Sequence, residues 1–169
     1  MCSTCAAELR PGGKVLLASG VSAVAAFGHI GAARRMVHLL KYEGINTPAS
    51  LFAGEMSRLI STDVTALVPI PRASVRKIRY GADPALSIAK QLHAITGLPV
   101  IRVLAAPLWW PAHAGSGRAE RQPPRFRRVG VAPAGSLLVD DVLTTGATVL
   151  AAAAVSGVRH AITATRAGP

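Results

Sequence analysis

Cysteine is almost missing from this chain of 169 residues: Cys2 and Cys5 form one Cys-x-x-Cys at its start. A disulfide framework is thereby excluded. A tetrahedral zinc site wants four ligands, and no second pair or His-x-x-x-His follows. A thioredoxin-type pair stands at a strand–helix junction inside a domain, which position 2 cannot be. Cys2 and Cys5 read as half of a zinc knuckle, a partial zinc site at most, or as two inert thiols. The isolated chain is expected to carry little or no zinc.

Acid is the second scarcity. Eight Asp and Glu stand against nineteen Lys and Arg, a net charge of +11. Residues 1–71 carry six basic and four acidic side chains, residues 72–128 eleven and two, and residues 129–169 two of each. The excess therefore sits in the middle third, in segments read largely as loops. Such a patch attracts pyrophosphate, a nucleotide or a nucleic-acid backbone, and charge alone does not choose among them.

Long apolar runs are the third. Lys14 followed by residues 15–26 imitates a signal peptide with an Ala-x-Ala end, but the run is too short to span a membrane. A strand–turn–strand reading fits it equally well. The chain is read as cytoplasmic with no membrane partner. No internal repeat is visible. Half of the residues are apolar, enough for one domain with a real core. Residues 1–13 are read as a leader or the remnant of a knuckle, and residues 14–169 as the domain.

What the chain does have is one dense stretch, Leu137-Leu138-Val139-Asp140-Asp141-Val142-Leu143-Thr144-Thr145-Gly146-Ala147-Thr148-Val149. Three aliphatic residues read as a buried strand, ending where two carboxylates appear. A loop of Thr, Gly and Ala follows, then an Ala-rich helix former from Val149. Hydroxyls, a glycine and orphan N–H groups at a helix N-terminus are the parts that bind a phosphate. The adjacent acids suit hydroxyls or a hydrated cation. A ligand with a phosphate at one end and a diol next to it is a sugar phosphate. Rival motifs fail on spacing: no lysine follows Gly146 as a Walker loop requires, and Val142 stands where a phosphoaspartate hydrolase needs its second acid.

The rest of the pattern alternates. Residues 14–27 read as a hairpin broken at Ser19-Gly20. Ile30, Met36, Val37, Leu39 and Leu40 fit an amphipathic helix that stops near Gly44, and a second helix starts near Pro48 with Leu51, Phe52, Met56, Leu59 and Ile60 as its buried face. Residues 66–71 are a strand whose ladder should stop near Val68, before Pro69. Asp83-Pro84 opens a helix, as N-cap and first residue, that runs to Gly97. Residues 100–104 and 161–165 are further strands. Residues 105–135, with Trp109, Trp110, His113 and several arginines, show no periodicity and read as a lid or a disordered stretch. Strands alternating with helices imply an α/β fold, a mainly parallel sheet with helices on both faces.

The acid pair and its loop resemble the phosphoribosyl-diphosphate (PRPP) motif of type I phosphoribosyltransferases. Along nearly its full length the chain resembles the ComF family of phosphoribosyltransferase-like proteins. The marks are the Cys-x-x-Cys, Leu40-Lys41-Tyr42-Glu43-Gly44, Val68-Pro69-Ile70-Pro71-Arg72, Arg79-Tyr80-Gly81-Ala82-Asp83, the segment from Ala112 to Arg121, and the motif itself. It departs by having one Cys pair where most members have two, His113 where a glutamine is common, and Pro123-Pro124-Arg125-Phe126 at the end of the arginine-rich segment. The resemblance implies a type I phosphoribosyltransferase-like fold with a small N-terminal hairpin or hood.

It also implies that Asp140 and Asp141 bind the ribose diol while Thr144, Thr145, Gly146, Ala147 and Thr148 hold the 5′-phosphate. The expected chemistry is transfer of phosphoribosyl to an unidentified nitrogen acceptor, with pyrophosphate release and with Mg²⁺ carried by PRPP. No protein residue is assigned to that ion. Arg72, and after it Arg76, Lys77 and Arg79, are candidates for the pyrophosphate side; a solvated basic loop is the alternative. A non-catalytic reading also stands, either a PRPP or nucleotide sensor or a DNA-uptake accessory. That accessory would bind single-stranded DNA on the basic middle third and on Trp109-Trp110 as stacking surfaces. Lid packing explains the tryptophans too, and a loop position explains His113 as well as a general base does.

Overall fold

A computed structural model describes residues 2–43, 45–72, 83–106 and 125–168. The chain opens with a short helix α1 (Ser3–Ala7), followed by a hairpin of β1 (Pro11–Leu16) and β2 (Ser22–Gly28). Consecutive left-handed residues, Ser19 and Gly20, lie in the connection, where the break is expected. β1 begins at Pro11, ahead of the expected position 14. A proline is tolerated as the first residue of an edge strand because its missing N–H costs the ladder nothing there.

Helices α2 (Gly31–Tyr42) and α3 (Thr47–Ser57) lead to β3 (Ala66–Pro69), and α4 (Pro84–Thr96) follows. The Asp83 carboxylate accepts from the Leu86 N–H at 3.4 Å with Pro84 in the first turn, and Gly97 closes the helix in a left-handed conformation. A short pair, β4 (Leu104–Ala105) with β5 (Arg127–Arg128), precedes β6 (Ser136–Leu143), α5 (Ala147–Ser156) and β7 (His160–Arg166). The main sheet has the order β1-β2-β7-β6-β3, parallel except for β1.

Strand residues alternate between two apolar layers, as a period of two dictates. Leu137, Val139, Ile162 and Ala164 face α2, α3 and α4, meeting Val37, Leu40, Phe52, Met56, Ile88 and Leu92. Leu138 and Ala161 face the other way, toward Val149 and Ala152 of α5. The α/β sheet covered on both faces is thus the observed architecture. Among the described residues no helix is long and apolar enough to cross a membrane.

Three expectations need correction. The buried face of α3 is Ala49, Phe52, Ala53 and Met56, whereas Leu51 and Leu59 are exposed. Leu51 lies about 100° around the helix from Phe52, and Leu59 falls beyond the last turn. The ladder of β3 runs one residue further than expected, since Pro69 pairs with Val139. Leu67 directs its N–H and C=O outward to Pro99 and Ile101, so Pro69, two residues on, directs its missing donor to the same outer edge, past the end of that bridge. Residues 100–104 are not one strand: Val100 makes a single parallel bridge to Leu67, and the chain then turns to pair as β4 with β5.

Candidate functional site

The chain leaves β3 for α4 on one face of the sheet, and leaves the adjacent β6 for α5 on the other. Where connections diverge like this, a crevice opens at the carboxyl ends of the two strands, the usual ligand position in open parallel sheets. Asp140 and Asp141 stand there. Contrary to expectation, β6 does not end at them. It continues to Leu143 because β7 keeps pairing with it, through Val142 with Thr165 and Leu143 with Arg166. On the β3 side the ladder stops at Val139. The two acids are therefore the first residues of β6 that β3 leaves uncovered.

Both are buried, each 8% exposed, and each folds back on the backbone. Asp140 Oδ1 accepts from the Asp141 N–H at 2.9 Å, and Asp141 Oδ1 accepts from the Val142 N–H at 3.0 Å. Their environments differ. Asp141 faces α2, where Lys41 Nζ lies 2.7 Å from its Oδ2. Burial first, then the negative charge of Asp141, pushes the Asp140 carboxyl well above the usual carboxylate range, so Asp140 favours its neutral form.

The loop that follows places Thr144 and Thr145 in solvent and Gly146, which has no side chain to cap with, at the N-cap of α5. Thr145 Oγ1 accepts weakly from the Ala147 N–H at 3.4 Å. Thr148 lies half-buried in the first turn. A helix N-terminus carries partial positive charge and spare donors, and here it begins a few residues from two carboxylates. Two demands unrelated to a phosphate also require glycine at position 146: its φ is +81°, and a Cβ there would lie 2.9 Å from Leu17 Cδ2.

Arg72, at the end of β3, donates from Nη1 to the Lys41 carbonyl at 2.8 Å, with its guanidinium 5.5 Å from the Tyr42 ring centroid. It braces the last turn of α2. Arg76, Lys77, Arg79, Trp109, Trp110 and His113 lie outside the described residues. Cys2 caps α1, its Sγ accepting from the Cys5 N–H at 3.4 Å, which favours the thiolate. The pair is remote from the acids and helps line an apolar groove of about 590 Å³ with Met36, Leu39, Ile45 and Leu51. Nothing in that groove matches a phosphate beside a diol.

Two residues join the site that sequence reasoning misses. Lys41 stands in a motif segment, yet periodicity marks it only as a polar residue of an amphipathic helix. His29 follows β2; its Nδ1 lies 2.9 Å from Thr165 Oγ1, which in turn donates to the Asp141 carbonyl at 3.3 Å. Burial, then the charges of Lys41 and Arg34, lower its affinity for a proton. Only a strand-end position at the ligand edge of a parallel sheet could flag it. Among the described residues no three His, Cys, Asp or Glu come together as a metal cage. No protein-family model matches the chain, and comparison with curated proteins yields no match.

Proposed function

We propose that this chain binds PRPP and is a phosphoribosyltransferase-like protein of ComF type, transferring phosphoribosyl to a nitrogen acceptor with release of pyrophosphate. One observation carries the reading: an acid pair just past the end of the β3 ladder and a helix N-terminus whose N-cap is a glycine share a single strand–loop–helix unit at the sheet's divergence point. The spacing suits a ribose whose diol meets the acids while its 5′-phosphate meets the loop. Segments far apart in the chain also converge there, since Lys41 reaches Asp141 and Arg72 reaches the Lys41 carbonyl.

In the reaction the bond from ribose C1 to the diphosphate oxygen breaks and a C1–N bond forms, the acceptor nitrogen giving up its proton. Positive charge grows on the ribose, and the Asp141 carboxylate, already fixed in place, stabilises it without reorganisation. Asp140, held toward its neutral form, can donate a hydrogen bond to a ribose hydroxyl as well as accept one. Residues 144–148 anchor the far end, which orients C1 for attack. The donor set fits an ion held by the ligand's own oxygens: one carboxylate is engaged by Lys41 and the other is driven toward neutrality. When bound with PRPP, Mg²⁺ would supply charge neutralisation to the departing diphosphate.

The test is pyrophosphate release from PRPP and Mg²⁺ against a panel of nitrogen bases and ammonia. Release that depends on one acceptor and disappears in Asp141→Asn is the expected result. No release with any acceptor, together with no PRPP binding, would remove the reading.

A further inference from the structure

Lys41 is the one basic side chain that meets the acid pair among the described ion pairs. It sits in the last turn of α2, where a cation is favoured by the helix dipole. Its own side chain is about one quarter exposed and that of Asp141 about one eighth, so water screens the pair only in part. The Asp141 carboxylate has both oxygens accounted for in different ways. Oδ1 takes the Val142 N–H. Oδ2 is buried and makes no hydrogen bond among the described residues; the Lys41 ammonium faces it at 2.7 Å as an ion pair.

Removing that ammonium group would leave a buried carboxylate oxygen with nothing opposite it, a costly state that a carboxylate escapes by rotating toward water. Rotation would also break the bond to the Val142 N–H. Arg72, from the loop after β3, holds the Lys41 main-chain carbonyl and so fixes the turn of α2 from which the lysine side chain reaches.

We propose that Lys41 is a positioning residue of the acid pair: its ammonium group, reaching from the last turn of α2, fixes the Asp141 carboxylate in the orientation that meets a ribose diol. The role deepens the phosphoribosyl reading and rests on it. Two consequences separate it from a merely structural ion pair. A ligand that takes up Asp141 must change what surrounds the lysine ammonium. And a cation of different shape at the same position should retain part of the function, whereas an apolar side chain of similar length should not.

Lys41→Met, Lys41→Arg and wild type, each checked for folding by circular dichroism, are titrated with Mg²⁺-PRPP by calorimetry. In parallel the ¹⁵N resonance of the Lys41 ammonium is followed with and without PRPP, and in Asp141→Asn. The expected result is binding weakened about tenfold or more in Lys41→Met, as for loss of the charge facing a buried carboxylate, with Lys41→Arg closer to wild type. The ammonium resonance should move both on adding PRPP and in Asp141→Asn. Wild type that binds PRPP while Lys41→Met binds it equally well overturns the role of Lys41 and leaves the phosphoribosyl reading standing. Wild type that does not bind PRPP removes both.

Discussion

Leu17, in the hairpin turn, packs on Gly146 at the head of α5: a Cβ on that glycine would lie 2.9 Å from Leu17 Cδ2 and 3.1 Å from Cδ1. The N-terminal hairpin thus rests on the loop that leads into α5. Two separate demands fall on position 146, a left-handed backbone and room for a leucine. Gly146→Ala should destabilise the fold by about 1–2 kcal/mol from the backbone conformation alone, with the leucine contact adding to it. Thermal unfolding of Gly146→Ala with and without Leu17→Ala checks this. The double variant should recover the contact part and keep the backbone part. A Gly146→Ala as stable as wild type would contradict the geometry.

Asp140 offers a trade between stability and binding. Its folded-state pKa is raised by burial and by Asp141, so its favourable contribution is present below the unfolded value of about 3.9 and is lost as pH rises through the folded value. At neutral pH its charged form opposes folding. Asp140→Asn keeps an oxygen for the Asp141 N–H and removes that cost. The variant should melt higher than wild type at pH 7, by on the order of 1 kcal/mol, with the gain vanishing below about pH 4. PRPP affinity should fall at the same time. Melting curves across pH 3–8 decide it, and an Asp140→Asn less stable than wild type at pH 7 would sink the assignment.

His29 gives the opposite slope. Its pKa is lowered by burial and by the cations Lys41 and Arg34, against a weaker pull from Asp141. A group depressed in the folded state contributes stability above its unfolded value, about 6.5, and loses it as pH falls below that. Wild type should therefore lose stability between pH 7 and pH 5 more steeply than His29→Asn. Parallel slopes would mean that the imidazole is no more hindered from protonation in the fold than in the unfolded chain.

The start of α4 gives a test of the capping geometry alone. Replacing Asp83 by Ala removes the acceptor for the Leu86 N–H and should cost about 1 kcal/mol. Chemical denaturation measures it, and an Asp83→Ala as stable as wild type would contradict the cap.

Local chemistry makes much of the fold legible in the amino-acid sequence. Ser19-Gly20 marks the hairpin, Asp83-Pro84 and Gly97 bound a helix, and the run Leu137-Leu138-Val139 marks a strand with apolar cover on both sides. Sequence reading goes wrong where a distant neighbour decides. Whether β6 stops at Asp140 depends on β7, which is still pairing at Leu143 with Arg166. Whether Pro69 breaks its ladder depends on which edge its missing donor faces. In the site, the acids and the threonine loop are contiguous and can be read directly. Lys41 and His29 cannot, because they are brought to Asp141 by the packing of α2 and by the end of β2, about a hundred residues away in sequence.

The central claim is that β6, the loop after it and α5 hold one sugar phosphate. Calorimetric titration of Mg²⁺-PRPP into wild type, Thr145→Glu and Asp141→Asn tests it most directly. Thr145 is exposed, so the glutamate adds a negative charge beside the loop without touching the constrained backbone of Gly146. Wild type should bind, Thr145→Glu should lose binding by about tenfold or more through like-charge repulsion, and Asp141→Asn should weaken it at the diol end, all three remaining folded. Equal PRPP affinity in the three proteins would contradict the claim.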